Sequence, residues 1–290
     1  MIQTAGTPIR AGRHPGRPGG MRKGYLWPMP GDRGGVVFPF ATSRRHGHAA
    51  GFLGEYSGTL VSDGYGAYGA HFAARGGAVT HQGCWIHTRR NFREHRDNHP
   101  EMAGEALAPV GAIYRIEEEI RGRSRAERLA ARRTRSRKAV EAFRDWCGRT
   151  LEDPATAPRH PVRKAIAHPA GRRATLEVFP ADPDVPPDTN RAGNRLRGAK
   201  LGQRNWPFAW TELGAEHAGI MNAMPATCRK RGVDARVWLT DVLPRVDSHP
   251  ASRAGELAPR RWKELFAHDP MTSDVAQVTA GLLQAAMGTE

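Results

Sequence analysis

Asp63 is the residue whose setting most suggests chemistry. It closes the run Thr59-Leu60-Val61-Ser62 and is followed by Gly64. A short β-branched and apolar run ahead of Asp-Gly reads as a buried strand ending in a turn. Ligands collect outside the carboxyl ends of strands in open α/β sheets. A carboxylate there is a hard oxygen donor suited to Mg²⁺, which keeps waters in its remaining positions. Asp-Gly is also an ordinary turn pair, and spacing alone favours that plainer reading.

His81, Cys84 and His87 recur at intervals of three, and Cys84-Trp85-Ile86-His87 looks like half of a zinc site. A closed zinc site needs four ligands, and Cys147 and Cys228 stand alone and far away. The expectation is therefore a structural Cys84/His87 pair. The sequence has no Walker-type phosphate loop, nucleophile elbow or paired-histidine metalloprotease helix.

Several elements must position these residues. Residues 5–24, rich in Gly, Pro and Arg, read as a loop or leader. Tyr25–Met29 and Val36–Phe40 flank a Gly-rich turn and predict a hairpin. A helix is expected over 43–56, a strand at Thr59–Val61, a second short helix, and a strand around Ala78–Cys84. From 101 to 149, apolar residues recur at three-to-four spacing, including Ala103, Leu107, Val110 and Val140, Phe143, Cys147, which predicts helices. Asp188 is a plausible N-cap for a helix from about 190. Residues 214–244 read as two helices parted at Gly232. The order implies a mixed α/β core with a helical insertion and a helical tail.

Charge narrows the partners. Lys and Arg total 44 against 29 Asp and Glu, a formal +15, and the sequence pI is near 10.7. Residues 121–138 hold nine cations, Arg132 and Arg133 among them, against one anion, Glu127. Such a basic stretch fits DNA, whose phosphates release counterions on neutralisation, or else a solvated helix face. The sequence has no run of apolar residues long enough for a membrane span and no secretory h-region at its start. Three scattered cysteines fit a reducing, cytoplasmic setting.

Several motifs resemble the insertion-sequence-66 transposase family. They are Gly24-Tyr25-Leu26-Trp27-Pro28-Met29, Gly58 to Tyr65, Cys84 to Phe92, Asp188-Thr189-Asn190 and Gly202-Gln203-Arg204-Asn205-Trp206. Cys228 to Leu243 is similar to the family's C-terminal element. The likeness covers roughly residues 2–267 and keeps the motifs in order.

That resemblance implies a ribonuclease-H-like mixed sheet with a helical insertion and a helical C-terminal tail. Its boundaries are a loop-rich leader with a remnant of the first core strand (1–23), a core (24–213) with an insertion at about 95–170, a helical element (214–267) and an unassigned tail (268–290). It also implies DNA cleavage and strand transfer at three carboxylates that clamp two Mg²⁺ ions. Asp63 matches the second carboxylate. The first aligns with Ala5, within Ala5-Gly6-Thr7-Pro8 where the family has Asp-Glu-Thr-Pro, and the third with Gly193. Two of three ligands are thus replaced, and Asp188 as a cap residue is a poor substitute.

The expected protein is a DDE-type transposase relative with impaired Mg²⁺ binding and silenced chemistry. The alternative is a non-catalytic DNA-binding or inhibitory relative, acting as a homo-oligomer or with an intact transposase. Arg89, Arg90, Arg132, Arg133 and Arg204 are the expected DNA contacts. Cys84, His87, Asp188, Asn190 and Trp206 are the expected structural residues. The family's N-terminal DNA-recognition segments find no counterpart here, so sequence-specific recognition of transposon ends is not expected. A cytoplasmic, nucleoid-associated location follows.

Overall fold

A computed structural model describes residues 1–4, 6–14, 16–31, 35–64, 77–190, 198 and 200–271. The first strand run is divided: β1 (Ile2–Thr4) and β2 (Thr7–Arg13) are consecutive in the chain but serve different sheets. β1 lies parallel to β7 (Gly58–Ser62), with Gln3 opposite Val61, and β7 lies parallel to β8 (Val79–Gln82). β2 pairs antiparallel with β3 (Met21–Leu26), which pairs with β6 (Phe40–Ala41). β4 (Met29–Pro30) and β5 (Val36–Val37) form the small expected hairpin, and β9 (Phe208–Ala209) joins β2 in parallel.

The loop reading of residues 5–24 is corrected by β2. Thr7, Ile9 and Ala11 are buried while Pro8 and Arg10 are exposed. That two-residue alternation makes a strand with one face on the core, and the Gly, Pro and Arg content conceals it. The second short helix expected after Gly64 falls within 65–76, outside the described residues.

β7 shows why Asp63 is where it is. Leu60 packs with Trp27, Ala49, Leu53 and Val79, whereas Val61 packs with Trp85 and the helical insertion. Successive side chains on a strand face opposite ways, so covering both faces buries the strand, as parallel strands require. The cover on one side is α1 (His46–Leu53). On the other are α2 (Trp85–Arg93) and the insertion, comprising α3 (Pro100–Glu119), α4 (Arg125–Ala131), a π-turn (Arg132–Ser136), α5 (Arg137–Glu152) and α6 (Pro161–Ala170).

Aromatic rings bind insertion to sheet. Trp85 meets Phe143 edge-on at 5.4 Å between centroids, and Phe92 meets Trp146 at 5.5 Å. Such edge-to-face pairs add about 0.5–1.5 kcal/mol beyond area burial. Helix α7 (Arg173–Leu176) follows α6.

In the tail, α8 (Glu212–Arg231) ends at Gly232, whose φ of 62° provides the left-handed cap. Asp234 then caps α9 (Ala235–Val246), accepting from the amides of Arg236 and Val237. Trp238 and Trp262, the latter on α10 (Pro259–Leu265), anchor a separate small core. No described helix is long and apolar enough to cross a membrane.

Candidate functional site

Asp63 follows the last residue of β7, at the carboxyl end of the parallel strands. Gly64 turns the chain with a φ of 73°, a region that L side chains rarely adopt. Its amide donates to Ser62 Oγ at 3.2 Å. Its carbonyl accepts two N–H groups of Arg172, from Nε at 3.2 Å and Nη2 at 2.9 Å. The third Arg172 bond, from Nη1, goes to the His168 carbonyl. Arg172 thus ties the end of the insertion to the turn behind Asp63.

The Asp63 carboxylate itself accepts from Arg44: Nη2 lies 3.1 Å from Oδ2. Both side chains are largely shielded, at 25% exposure for Arg44 and 16% for Asp63. His81 Nε2 sits 2.7 Å from Ser62 Oγ. Burial pushes the His81 pKa down to about 4, outweighing the opposing pull of Asp63. His87 and His168 are lowered for the same leading reason. All three imidazoles are therefore neutral near pH 7. His87 Nδ1 and His168 Nδ1 are buried without a hydrogen-bond partner among the described residues.

Two motifs 105 residues apart meet beside this turn. Cys84 Sγ lies 3.2 Å from Thr189 Oγ1 and accepts the Thr189 amide at 3.3 Å. The Trp85 amide donates to the Pro187 carbonyl. Burial raises the Cys84 thiol pKa, so it is an inert structural group rather than a thiolate ligand. Asp188 is 7% exposed and turns back on its own segment, its Oδ1 accepting the Asn190 amide at 2.9 Å and its Oδ2 the Asn190 side-chain Nδ2 at 2.6 Å. Burial raises its pKa, and it raises that of Tyr114, whose phenol burial already holds protonated. The helix expected to follow lies mostly outside the described residues.

A divalent ion fits this arrangement poorly. Among the described residues no group of three or more His, Cys, Asp or Glu side chains is placed to hold a metal. Ala5 and Gly193 lie outside the described residues, yet their chemistry is fixed by sequence. Neither 65–76 nor 191–197 contains any Asp or Glu, and the latter carries Arg191, Arg195 and Arg197. Asp188 is committed to Asn190.

The expected DNA contacts divide. Arg89 and Arg90 lie on α2, where Arg89 and Arg93 are shared by two adjoining grooves that also take in Arg90 and Arg96. Arg89 stacks over the Tyr114 ring at 5.6 Å. Arg133 is exposed, as is Arg204 in a turn after residue 201. Arg132 is a correction. It is 4% exposed, gripping Glu117 with Nε at 2.8 Å and Nη2 at 2.6 Å, while Nη1 donates to the carbonyls of Asp182 and Val185. A guanidinium so committed holds the fold and is not available to phosphate. Trp206 is half-buried against the cluster of Ile9, Ala11 and Leu26.

Sequence reasoning missed Arg44, Arg172, His168 and Tyr114. Arg44, Arg172 and His168 reach Asp63 or its turn from 19 or more positions away and stand in no motif with recognisable spacing. Tyr114 instead shares the apolar spacing of α3 and meets Asp188, Cys84 and Arg89.

Comparison with known proteins bears on the whole arrangement. The model of the Transposase IS66 family matches residues 1–217. The uncharacterized protein y4hP of Sinorhizobium fredii is 31% identical over 247 residues, covering 80% of this chain and 44% of the relative. From the same organism, y4qI is 28% identical over 235 residues, covering 79% and 43%. The chain thus spans less than half the length of these curated relatives. No solved structure matches it.

Proposed function

The chain belongs to the IS66 transposase family, and from that premise we propose that it is a DNA-binding, catalytically silent relative of the DDE transposases. The observation that carries this reading is the Asp63 carboxylate, paired with Arg44 where no three His, Cys, Asp or Glu side chains among the described residues are placed to hold a metal. Strand transfer in this class needs divalent ions to stabilise the attacking and leaving oxygens, a contribution on the order of several kcal/mol. Each ~1.4 kcal/mol is about tenfold in rate. Mg²⁺ is the ion that the family chemistry implies, and the described residues around Asp63 do not fit it.

The strand order supports a ribonuclease-H-like core. β6, β3 and β2 run antiparallel, and β1, continuing the β2 run, leads into the parallel β7 and β8. Asp63 then sits at the second-carboxylate position. DNA affinity comes from Arg89, Arg90, Arg93 and Arg96 on and just beyond α2, helped by Arg133 and Arg204. These contacts read the backbone and confer no sequence preference. A cytoplasmic, nucleoid-associated location goes with that activity.

A second reading, an inhibitory role through association with a transposase or with another copy, is favoured by one feature. Trp210 is 77% exposed, and Leu213, Ile220 and Met221 of α8 are exposed with it. Large exposed apolar groups in proximity mark interaction surfaces.

Two assays on the full chain test the main reading. Duplex DNA should bind with a steep salt dependence, and strand transfer with Mg²⁺ or Mn²⁺ should give no product above an Asp63→Asn control. A flat salt response overturns the DNA reading, and Asp63-dependent product overturns the silence.

A further inference from the structure

We infer that Arg44 stands in the place of a divalent ion at Asp63, so that a guanidinium neutralises this carboxylate and DNA binding by the chain needs no divalent cation. The second half rests on the DNA-binding reading above, and the first half does not.

Geometry supplies the argument. The pair is direct, with Nη2 3.1 Å from Oδ2, and mostly shielded from water. Room for the arginine comes from the backbone: a Cβ added at Gly6 would lie 3.2 Å from Arg44 Nε and 3.4 Å from Nη2. Any side chain at residue 6 would press on the guanidinium where it meets Asp63. The Tyr25 ring fixes the other side, with Arg44 Cζ 5.5 Å from its centroid, a cation–π contact.

Among the described residues, the neighbouring basic groups are engaged elsewhere or neutral. Arg172 gives its N–H groups to the carbonyls of Gly64 and His168. His81, His87 and His168 are kept neutral by burial. Arg44 is therefore the positive charge in direct contact with Asp63 among the described residues.

The substitution changes what the pocket can do. A guanidinium is a permanent cation with donors in a planar fork. It offsets the carboxylate and holds the turn. It has no coordination position to offer a water or a phosphate oxygen, so it cannot generate a nucleophile as a metal does.

Manganese titration followed by electron paramagnetic resonance tests this on the full chain and three variants, Asp63→Asn, Arg44→Gln and the double variant. The parent and Asp63→Asn should give superimposable binding curves up to about 1 mM free ion, equivalent to an affinity no better than weak. Arg44→Gln should expose a site at least threefold tighter, abolished in the double variant. A parent site lost in Asp63→Asn overturns the inference, as does an Arg44→Gln curve identical to that of the double variant. If Arg44→Gln does not fold, parent against Asp63→Asn still decides.

Duplex affinity by anisotropy, in EDTA or Mg²⁺ at matched ionic strength, should agree within twofold. A tenfold loss in EDTA overturns the cation-independence. Absence of DNA binding in both buffers removes the functional reading, while the manganese result still judges Arg44.

Discussion

The insertion and helix α2 carry arginines of the same chemistry and use them in opposite ways. In the insertion, Arg125 and Arg128 pair with Asp184, Arg132 with Glu117, and Arg135 with Glu119. The densest basic stretch of the sequence is therefore partly internal mortar. On and after α2, Arg89, Arg93 and Arg96 instead line an open groove beside Gly104, Leu107 and Ala108. Arg89, Arg93 and Arg96 lie at intervals of four and three, which places them on one side of a helical path. The lesson is that local charge density does not locate a phosphate-binding surface; the acids that fold back onto the cations decide which remain available.

The largest effect that could break this contrast is on stability. Arg132→Ala leaves Glu117 and the carbonyls of Asp182 and Val185 without their donor, and should cost about 3–5 kcal/mol in chemical denaturation, as for other broken buried pairs. A loss of DNA affinity with stability unchanged would instead make Arg132 a phosphate contact.

Next in size is a pH effect in the Asp63 neighbourhood. The folded protein holds His81 neutral down to about pH 4, whereas the unfolded chain protonates it near 6.5. Between those values the unfolded state binds more protons, so stability falls as pH drops, by on the order of 3 kcal/mol from this group. His87 and His168 shift in the same direction and steepen the slope. Denaturation midpoints of the parent and His81→Asn across this window check it, and an unchanged slope in the variant refutes the assignment.

A smaller effect concerns the Arg44–Asp63 pair. Arg44→Gln and Asp63→Asn should each destabilise by about 1–2 kcal/mol, and the double variant should cost little more than either single change, since a charged hydrogen bond is lost once. Additive losses would mean that the two side chains do not act together.

The smallest stability change, with the clearest binding change, belongs to α2. Replacing Arg89, Arg93 and Arg96 by Ala should flatten the dependence of log Kd on log salt by about 0.9 per lost phosphate contact. The matching change at exposed Arg133, Arg137 and Lys138 should flatten it less. The reverse ranking would move the DNA surface to the insertion.

Much of the frame was legible in the sequence because its signals are local. Leu60-Val61-Ser62 ahead of Asp63-Gly64 announces a buried strand and its turn, and the three-to-four spacing of Val110, Ile113, Val140 and Phe143 announces packed helices. Gly232 announces a C-cap. The β2 strand was hidden because only Thr7, Ile9 and Ala11 carry its alternation, amid Pro and Arg. The roles of Arg44, Arg132 and Arg172 were not legible because each depends on a partner 15 or more residues away. Nothing in the type or spacing of an arginine distinguishes a counter-ion from a phosphate contact.

Calorimetric titration of Mg²⁺ into the parent and into the triple variant Ala5→Asp, Gly193→Glu and Arg44→Gln, which restores both acids and removes the arginine at Asp63, tests the central claim most directly. The account predicts no binding heat for the parent and a measurable gain in affinity for the triple variant, with either acid alone doing much less because the ligands of one metal pair act as a unit. Identical titrations for parent and triple variant would contradict the placement of the site at Asp63.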